Sequence, residues 1–122
     1  MAKKALIVED HVETAELIMN LLKSEGIDVI TAADGITGME RAFAENPDII
    51  LLDVMMPGMT GLEVCEKLKA DSRTAAIPIV IVSVRAAENN IKQGLSYGAN
   101  EYIAKPFDPF KLIEVVKKEL GI

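Results

Sequence analysis

The sequence predicts an α/β protein in which five parallel strands form a doubly wound sheet with helices on both faces. Two observations lead to this prediction. Short apolar runs recur five times along the chain, and each is followed by a stretch with helical periodicity. Glycine and proline residues mark the boundaries, and no repeat or linker divides the 122 residues. We therefore expect a single domain spanning residues 1–122.

The five apolar runs are interpreted as strands because each is short and is bounded by polar or turn-forming residues. They are Lys4–Val8, Val29–Thr31, Ile49–Leu52, Ile77–Val82 and Tyr102–Ala104. The run Ile49–Leu52 is wholly apolar, which is typical of a central strand covered on both faces. Pro57, Gly58 and Gly61 break the regular pattern soon afterwards, so Asp53 is expected at the mouth of a loop.

The helices are predicted from capping residues and from the spacing of apolar side chains. The first runs from Val12 to Lys23 and stops at Gly26, and the fourth is a weaker prediction over Ala86–Tyr97, where polar residues dominate. The second begins at Asp34-Gly35 and ends before Pro47, with an apolar face formed by Ile36, Met39 and Phe43. The beginnings of the third and fifth helices are marked by Thr60 with Glu63 and by Asp108 with Pro109.

Composition excludes several classes of function. Half of the residues are hydrophobic and 26% are charged, as in an ordered globular chain. A formal net charge of -6 argues against direct nucleic-acid binding, which requires a basic face. The single cysteine, Cys65, cannot form an internal disulfide, so a reduced, cytoplasmic setting is the simplest inference. No apolar run is long enough for a signal peptide or for a membrane span.

Polar residues with useful chemistry stand at the ends of four predicted strands. They are Glu9 and Asp10, Asp53, Ser83, and Lys105. If the strands follow the flavodoxin-type order 2-1-3-4-5, these side chains converge on one cleft at the carboxyl edge of the sheet. The sequence alone leaves other strand orders open.

Carboxylates held this close repel one another unless a cation lies between them, and Mg²⁺ prefers oxygen ligands. We expect Asp10 and Asp53 to bind Mg²⁺ directly, Glu9 to act through water, and the backbone carbonyl of Met55 to complete the protein ligands. His11 stands beside these residues, and we interpret it as a first-turn helix residue rather than a ligand.

The remaining residues suit a phosphoryl group. Lys105 carries the charge to pair with one of its oxygens, and the Ser83 hydroxyl can donate a hydrogen bond to another. The carboxylate of Asp53 is then the nucleophile, since such a group can accept a phosphoryl group to form an acyl phosphate.

These motifs resemble the receiver domain of bacterial two-component response regulators over the whole chain. The resemblance lies in Glu9-Asp10, in Asp53 with the following Met56-Pro57 and Thr60-Gly61, in Ser83, and in Lys105-Pro106-Phe107. It implies that Asp53 accepts a phosphoryl group from a phosphohistidine on a sensor histidine kinase or a histidine phosphotransfer protein. It also implies a cis Lys105-Pro106 bond that aims the lysine into the cleft.

The resemblance further implies a conformational switch. Ser83 moves towards the phosphoryl group, and Tyr102, which matches the family's switch aromatic, turns into the space it leaves. The altered face then binds a downstream protein target. The chain is expected to catalyse only its own modification, as a monomer or as a phosphorylation-dependent dimer, and whether it is a complete regulator or a fragment stays open.

Some positions depart from the commonest pattern or leave alternatives open. Val84 stands where the family usually has a smaller residue, which makes a receiver that no longer accepts phosphate one alternative. Met55 and Arg85 occupy variable positions that tune phosphoryl lifetime in the family. A haloacid-dehalogenase-like phosphohydrolase is disfavoured because Met55 stands where those enzymes commonly carry an acid. A flavin-binding protein is disfavoured because aromatic residues make up only 4% of the chain.

Overall fold

The computed structural model describes residues 2–122 and contains five strands alternating with five helices. The strands are β1 (Lys4–Val8), β2 (Asp28–Ala32), β3 (Ile49–Leu52), β4 (Ile79–Ser83) and β5 (Glu101–Ala104). The helices are α1 (Val12–Ser24), α2 (Gly35–Glu45), α3 (Gly61–Ala70), α4 (Glu88–Ser96) and α5 (Pro109–Leu120).

All strand pairs are parallel and their order is β2-β1-β3-β4-β5, which confirms the flavodoxin-like fold and the strand order that the sequence left open. The register aligns the carboxyl ends of the strands. Val8 pairs with Ala32 on one side and with Leu52 on the other, and Ser83 pairs with Ala104. Residues that follow these positions therefore emerge at one edge of the sheet.

The sheet separates two apolar clusters, which explains why its central strands are apolar without alternation. The cluster under α1 and α5 takes one set of alternating strand residues, including Ile7, Leu51 and Val82. The cluster on the opposite face takes the other set, including Leu6, Leu52 and Ile81. Because both faces are covered, the backbone of the central strands is held rigidly, and so are the residues at their ends.

The predicted caps of the helices are confirmed. Asp34, Thr60 and Asp108 each accept a hydrogen bond from a backbone N–H of the helix they precede. Strand β4 begins two residues later than predicted and includes Ser83, and α4 is shorter than predicted at both ends. None of the helices within residues 2–122 combines the length and the apolar character needed to cross a bilayer.

The apolar face predicted for α2 is partly wrong, because Ile36 is 60% exposed. The buried residues of this helix are instead Gly35, Gly38 and Ala42. A methyl group at Gly38 would lie 2.9 Å from the Val8 side chain, so α2 approaches β1 too closely for a larger residue. The helix packs through its smallest residues, which turns Ile36 towards solvent.

Candidate functional site

The acidic residues are fixed by backbone hydrogen bonds that extend the sheet one residue beyond its strands. Glu9 N donates to Ala32 O at 3.0 Å, and Asp53 N donates to Val8 O at 3.0 Å. Both side chains are buried, with 4% of each residue exposed. The rigid central strands therefore place two carboxylates side by side at the carboxyl edge.

Glu9, Asp10, His11 and Asp53 form a compact cluster, in which one ligand atom from each residue lies within 4.8 Å of the others. Within residues 2–122, the Asp10 Oδ1 atom is shielded from solvent and has no hydrogen-bond partner. The Nδ1 atom of His11 approaches it to 3.2 Å without forming a hydrogen bond. A buried carboxylate oxygen without a partner is costly, and a divalent cation would satisfy it, so the cluster fits a metal ion.

Lys105 brings the positive charge to this cluster. Its backbone N donates to Ser83 O at 2.8 Å, and the Lys105-Pro106 peptide is cis, as the resemblance implied. The Nζ atom lies 2.5 Å from Glu9 Oε1 and 3.7 Å from Asp53 Oδ2. The lysine thus faces Asp53 as expected, but its shortest contact is with Glu9, which was expected only as an indirect metal ligand.

The charges of the cluster affect its two buried carboxyls in opposite directions. Burial and the neighbouring Glu9 carboxylate raise the pKa of Asp53 to about 6. Burial acts the same way on Glu9, but hydrogen bonds to Lys105 and Asp53 and the charge of Lys105 outweigh it and lower the Glu9 pKa. Lys105 therefore stabilises the ionised form of Glu9 more than that of Asp53. Of the two buried carboxyls, Asp53 is the one whose charge is unfavourable.

A second group of contacts surrounds Ser83, which is fully buried. Its Oγ atom accepts a hydrogen bond from Arg85 N at 3.1 Å. The hydroxyl of Tyr102 donates to the backbone carbonyl of the same residue, Arg85. Arg85 Nε also lies 3.3 Å from the sulfur of Met55. Arg85 thus connects the Ser83 side chain, the Tyr102 ring and the loop that follows Asp53. No sequence pattern predicts this connection.

The backbone of Met55 contacts Asp53, the candidate nucleophile. The Met55 N–H donates a hydrogen bond to Asp53 Oδ1 at 3.3 Å. Ligation of a metal ion by the Met55 carbonyl stays a prediction.

The loop after Asp53 folds back tightly, and Gly61 N donates to Val54 O. A methyl group on Gly61 would lie 2.1 Å from the Asp53 carbonyl oxygen, so only glycine fits. The Thr60-Gly61 pair was part of the resemblance, but this steric reason appears only in the structure.

The carboxylates, lysine and serine predicted for the cleft lie at one edge of the sheet. Glu9, Asp10, Asp53 and Lys105 form one group, and Ser83 at the end of β4 belongs to a second. Tyr102 lies within β5, where it pairs with Ile81, and its hydroxyl joins the second group at the Arg85 carbonyl. A family model described as response regulator receiver domain matches residues 5–117. The chain belongs to this receiver family.

Known proteins resemble the receiver in sequence and in structure. The DNA-binding response regulators MtrA of Mycobacterium tuberculosis (strain ATCC 25618 / H37Rv) and Mycobacterium leprae (strain TN) are each 37% identical to it over 120 residues, which is 98% of the chain. The receiver spans only about half of their length, 51% and 52%.

Two solved structures share the fold over nearly their whole length. Chemotaxis protein CheY4 of Vibrio cholerae is 29% identical with a TM-score of 0.91, covering 97% of this chain and 98% of its own. A CheY-like receiver domain from Methanospirillum hungatei JF-1 is 30% identical with a TM-score of 0.92, covering 99% and 95%. The chain is therefore a receiver domain of a two-component response regulator.

Proposed function

We propose that the receiver accepts a phosphoryl group on Asp53 from a phosphohistidine and signals through the group formed by Ser83, Arg85 and Tyr102. The observation that carries the proposal is the position of Asp53, a buried carboxylate with a lysine Nζ 3.7 Å from one oxygen and other potential cation ligands within 4.8 Å. Asp10, Asp53 and the backbone carbonyl of Met55 would hold Mg²⁺, with Glu9 acting through water, and the ion would supply positive charge to the phosphoryl oxygens.

The transfer uses Asp53 as the nucleophile. One carboxylate oxygen forms a bond to phosphorus while the phosphorus–nitrogen bond of the donor breaks. The electron pair of that bond stays on the donor imidazole, which then takes a proton from solvent. Lys105 pairs with a phosphoryl oxygen of the product and keeps its contact with Glu9, 2.5 Å away.

Ser83 is suited to detect the new group. Its Oγ accepts a hydrogen bond from Arg85 N, so its own O–H remains available to donate to a phosphoryl oxygen. Because Tyr102 bonds to the carbonyl of the same Arg85, a shift of the Ser83 hydroxyl changes the support of both the β4–α4 loop and the Tyr102 ring. This coupling turns a local charge into a change of surface.

Incubation with Mg²⁺ and acetyl phosphate tests the phosphoacceptor. We expect intact-mass spectrometry to record a base-labile gain of one phosphoryl group in the wild type and none in Asp53→Asn. Asp34→Asn is the matched control, because asparagine caps α2 as well as aspartate does, and it should be labelled like the wild type. A gain in Asp53→Asn equal to that of the wild type would contradict the assignment.

We also propose that catalysis is confined to this self-modification. Met55, two residues after Asp53, carries a thioether and offers no general acid for repeated turnover of phosphomonoesters. Sustained phosphate release from p-nitrophenyl phosphate, at many equivalents per chain, would show that the receiver is a phosphohydrolase instead.

Its partners are proposed from the same chemistry. The donor is a sensor histidine kinase or a histidine phosphotransfer protein, and the output is contact with another protein in the cytoplasm. The curated relatives are named as DNA-binding, but the net charge of -6 argues that the receiver itself does not bind DNA. A pull-down with phosphorylated and Asp53→Ala protein, and light scattering before and after phosphorylation, would identify the target and any dimer.

A further inference from the structure

We propose that His11 is a third direct side-chain ligand of the cation site beside Asp10 and Asp53, so that the receiver binds divalent transition metals through one imidazole nitrogen as well as through carboxylates. The inference rests on the proposed cation site and concerns which ions it accepts. Carboxylate oxygens suit Mg²⁺, Ca²⁺ and Mn²⁺, whereas an imidazole favours Zn²⁺, Ni²⁺ and Cu²⁺. One nitrogen among the oxygens would therefore change the selectivity of the site.

The position of the ring supports this role. His11 is the residue that precedes α1, where a side chain commonly caps the helix, yet its side chain makes no capping hydrogen bond. Its Nδ1 atom instead lies 3.2 Å from Glu9 Oε2 and 3.2 Å from Asp10 Oδ1. The imidazole is thus directed at the carboxylates and away from the helix it precedes.

The contacts also require a positive partner. A neutral Nδ1 with its lone pair directed at two carboxylate oxygens is unfavourable, so either a proton or a metal ion has to lie between them. A proton on Nδ1 can be shared well with Glu9 only, since Asp10 Oδ1 remains without a hydrogen bond. A metal ion bound by Nδ1 and by Asp10 Oδ1 would satisfy both atoms.

The ring can adjust to an ion without disturbing the core. The side chain of His11 is 69% exposed, whereas those of Glu9 and Asp53 are 2% and 4% exposed. Zinc binds imidazole nitrogen and carboxylate oxygen at about 2.0–2.2 Å, so its ligand atoms lie roughly 3–4 Å apart. The ligand atoms of the cluster lie within 4.8 Å of one another, close to this value, and the exposed histidine has room to approach the ion.

NMR on the imidazole gives a direct reading, because the chain contains a single histidine. In ¹⁵N-labelled, metal-free protein, we expect Zn²⁺ to shift the Nδ1 resonance strongly, while Nε2 keeps its proton. Mg²⁺ is the matched control ion and should leave the Nδ1 resonance nearly in place. An Nδ1 resonance that does not respond to saturating Zn²⁺ would overturn the inference.

Calorimetric titrations of His11→Gln and of the wild type give the second reading. Loss of the nitrogen ligand should lower the ratio of Zn²⁺ to Mg²⁺ affinity by about 10- to 100-fold, the scale seen when groups that support a metal site are removed. His11→Phe, which cannot ligate, should give the same result, and thermal unfolding of both variants checks that they fold. An unchanged affinity ratio in folded variants would contradict the inference.

The outcomes separate this inference from the proposed function. If Mg²⁺ supports phosphorylation of Asp53 but Zn²⁺ binds without contacting His11, only the role proposed for His11 is wrong. If neither ion binds the wild type, both proposals fail. Asp10→Asn should weaken binding of both ions, because Asp10 contributes to the site with either one.

Discussion

Two halves of the same cleft are held together in different ways. The charged half contains Glu9, Asp10, His11, Asp53 and Lys105, whose contacts are ionic and include a 2.5 Å pair between Lys105 and Glu9. The hydroxyl half contains Ser83, Arg85 and Tyr102, and its two hydroxyl groups form neutral hydrogen bonds with the backbone of Arg85. The first half lies at the ends of rigid central strands, and the second includes the exposed β4–α4 loop.

This difference indicates which half can move. In the charged half, attraction and repulsion between buried charges are both large, so substitutions should change stability strongly and in either direction. In the hydroxyl half, each neutral hydrogen bond contributes only about 1 kcal/mol. A conformational switch needs a rearrangement that costs a few kcal/mol. The hydroxyl half meets that condition, which supports the proposal that this half moves while the charged half stays in place.

The largest effect is expected from Lys105→Met. This change leaves the Glu9 carboxylate buried without its cation, since the Glu9 side chain is 2% exposed and that of Lys105 is 14% exposed. Removing one partner of a buried ion pair costs about 3 kcal/mol or more. Urea unfolding at neutral pH should show a loss of that size in the free energy of unfolding.

Lys118→Met is the matched control for this prediction. Lys118 Nζ lies 2.9 Å from Glu101 Oε2, but 68% of its side chain is exposed, so water replaces the lost partner. Its effect on unfolding should be far smaller than that of Lys105→Met. Equal losses in the two variants would mean that burial does not distinguish the cleft from an ordinary surface pair.

The next effect has the opposite sign. Asp53→Asn should stabilise the metal-free protein above pH 6, because burial and Glu9 raise the pKa of Asp53 to about 6. A carboxyl with a raised folded-state pKa contributes stability that is present below its unfolded-state pKa and is lost as the pH rises through the folded-state value. Asparagine cannot ionise, so the variant escapes this loss.

The gain of Asp53→Asn over the wild type should therefore grow between pH 4 and pH 7 to the order of 2 kcal/mol, in EDTA. Denaturant unfolding at several pH values measures it. Asp34→Asn, at a carboxyl that caps α2, is the control and should show no such gain. If the stability gain of Asp53→Asn over the wild type is the same at pH 7 as at pH 4, the negative charge of Asp53 does not destabilise the fold.

The fold could be predicted because its rules are local. Apolar runs predicted the strands, and capping residues such as Asp34 and Thr60 predicted where helices begin. The strict alternation of strands and helices predicted a parallel sheet. The strand order could not be derived from the residues, because several orders bury the same runs. The exposure of Ile36 was missed because it depends on how closely α2 approaches β1 at Gly38.

The sequence predicted which residues lie together at the candidate site, but not which of their side chains contact one another. Parallel strands bring their carboxyl ends to one edge, so Asp53 and Lys105 were expected to meet. The preference of Lys105 for Glu9 depends on side-chain conformations that no sequence pattern specifies. The same is true of Arg85, whose backbone joins Ser83 to Tyr102 through a loop of irregular conformation.

In the hydroxyl half, Ser83→Ala should have a modest effect on stability. The change removes the acceptor of the Arg85 N–H, a neutral hydrogen bond that contributes about 1 kcal/mol. Thermal or urea unfolding should show a loss of that order, well below the loss in Lys105→Met. A loss as large as that of Lys105→Met would remove the distinction between the two halves.

The smallest effect is expected from Tyr102→Phe, which removes the hydroxyl that donates to the Arg85 carbonyl and leaves the ring in place. At this exposed hydrogen bond the loss should be about 0.5 kcal/mol.

The double variant with Ser83→Ala is more informative, because both hydroxyls form hydrogen bonds with the backbone of Arg85. If that residue transmits the signal, urea unfolding of the four proteins in the cycle should give losses that differ from additivity by more than about 0.5 kcal/mol. Additive losses would mean that Ser83 and Tyr102 respond independently, and the route from phosphoryl group to surface would then lie outside Arg85.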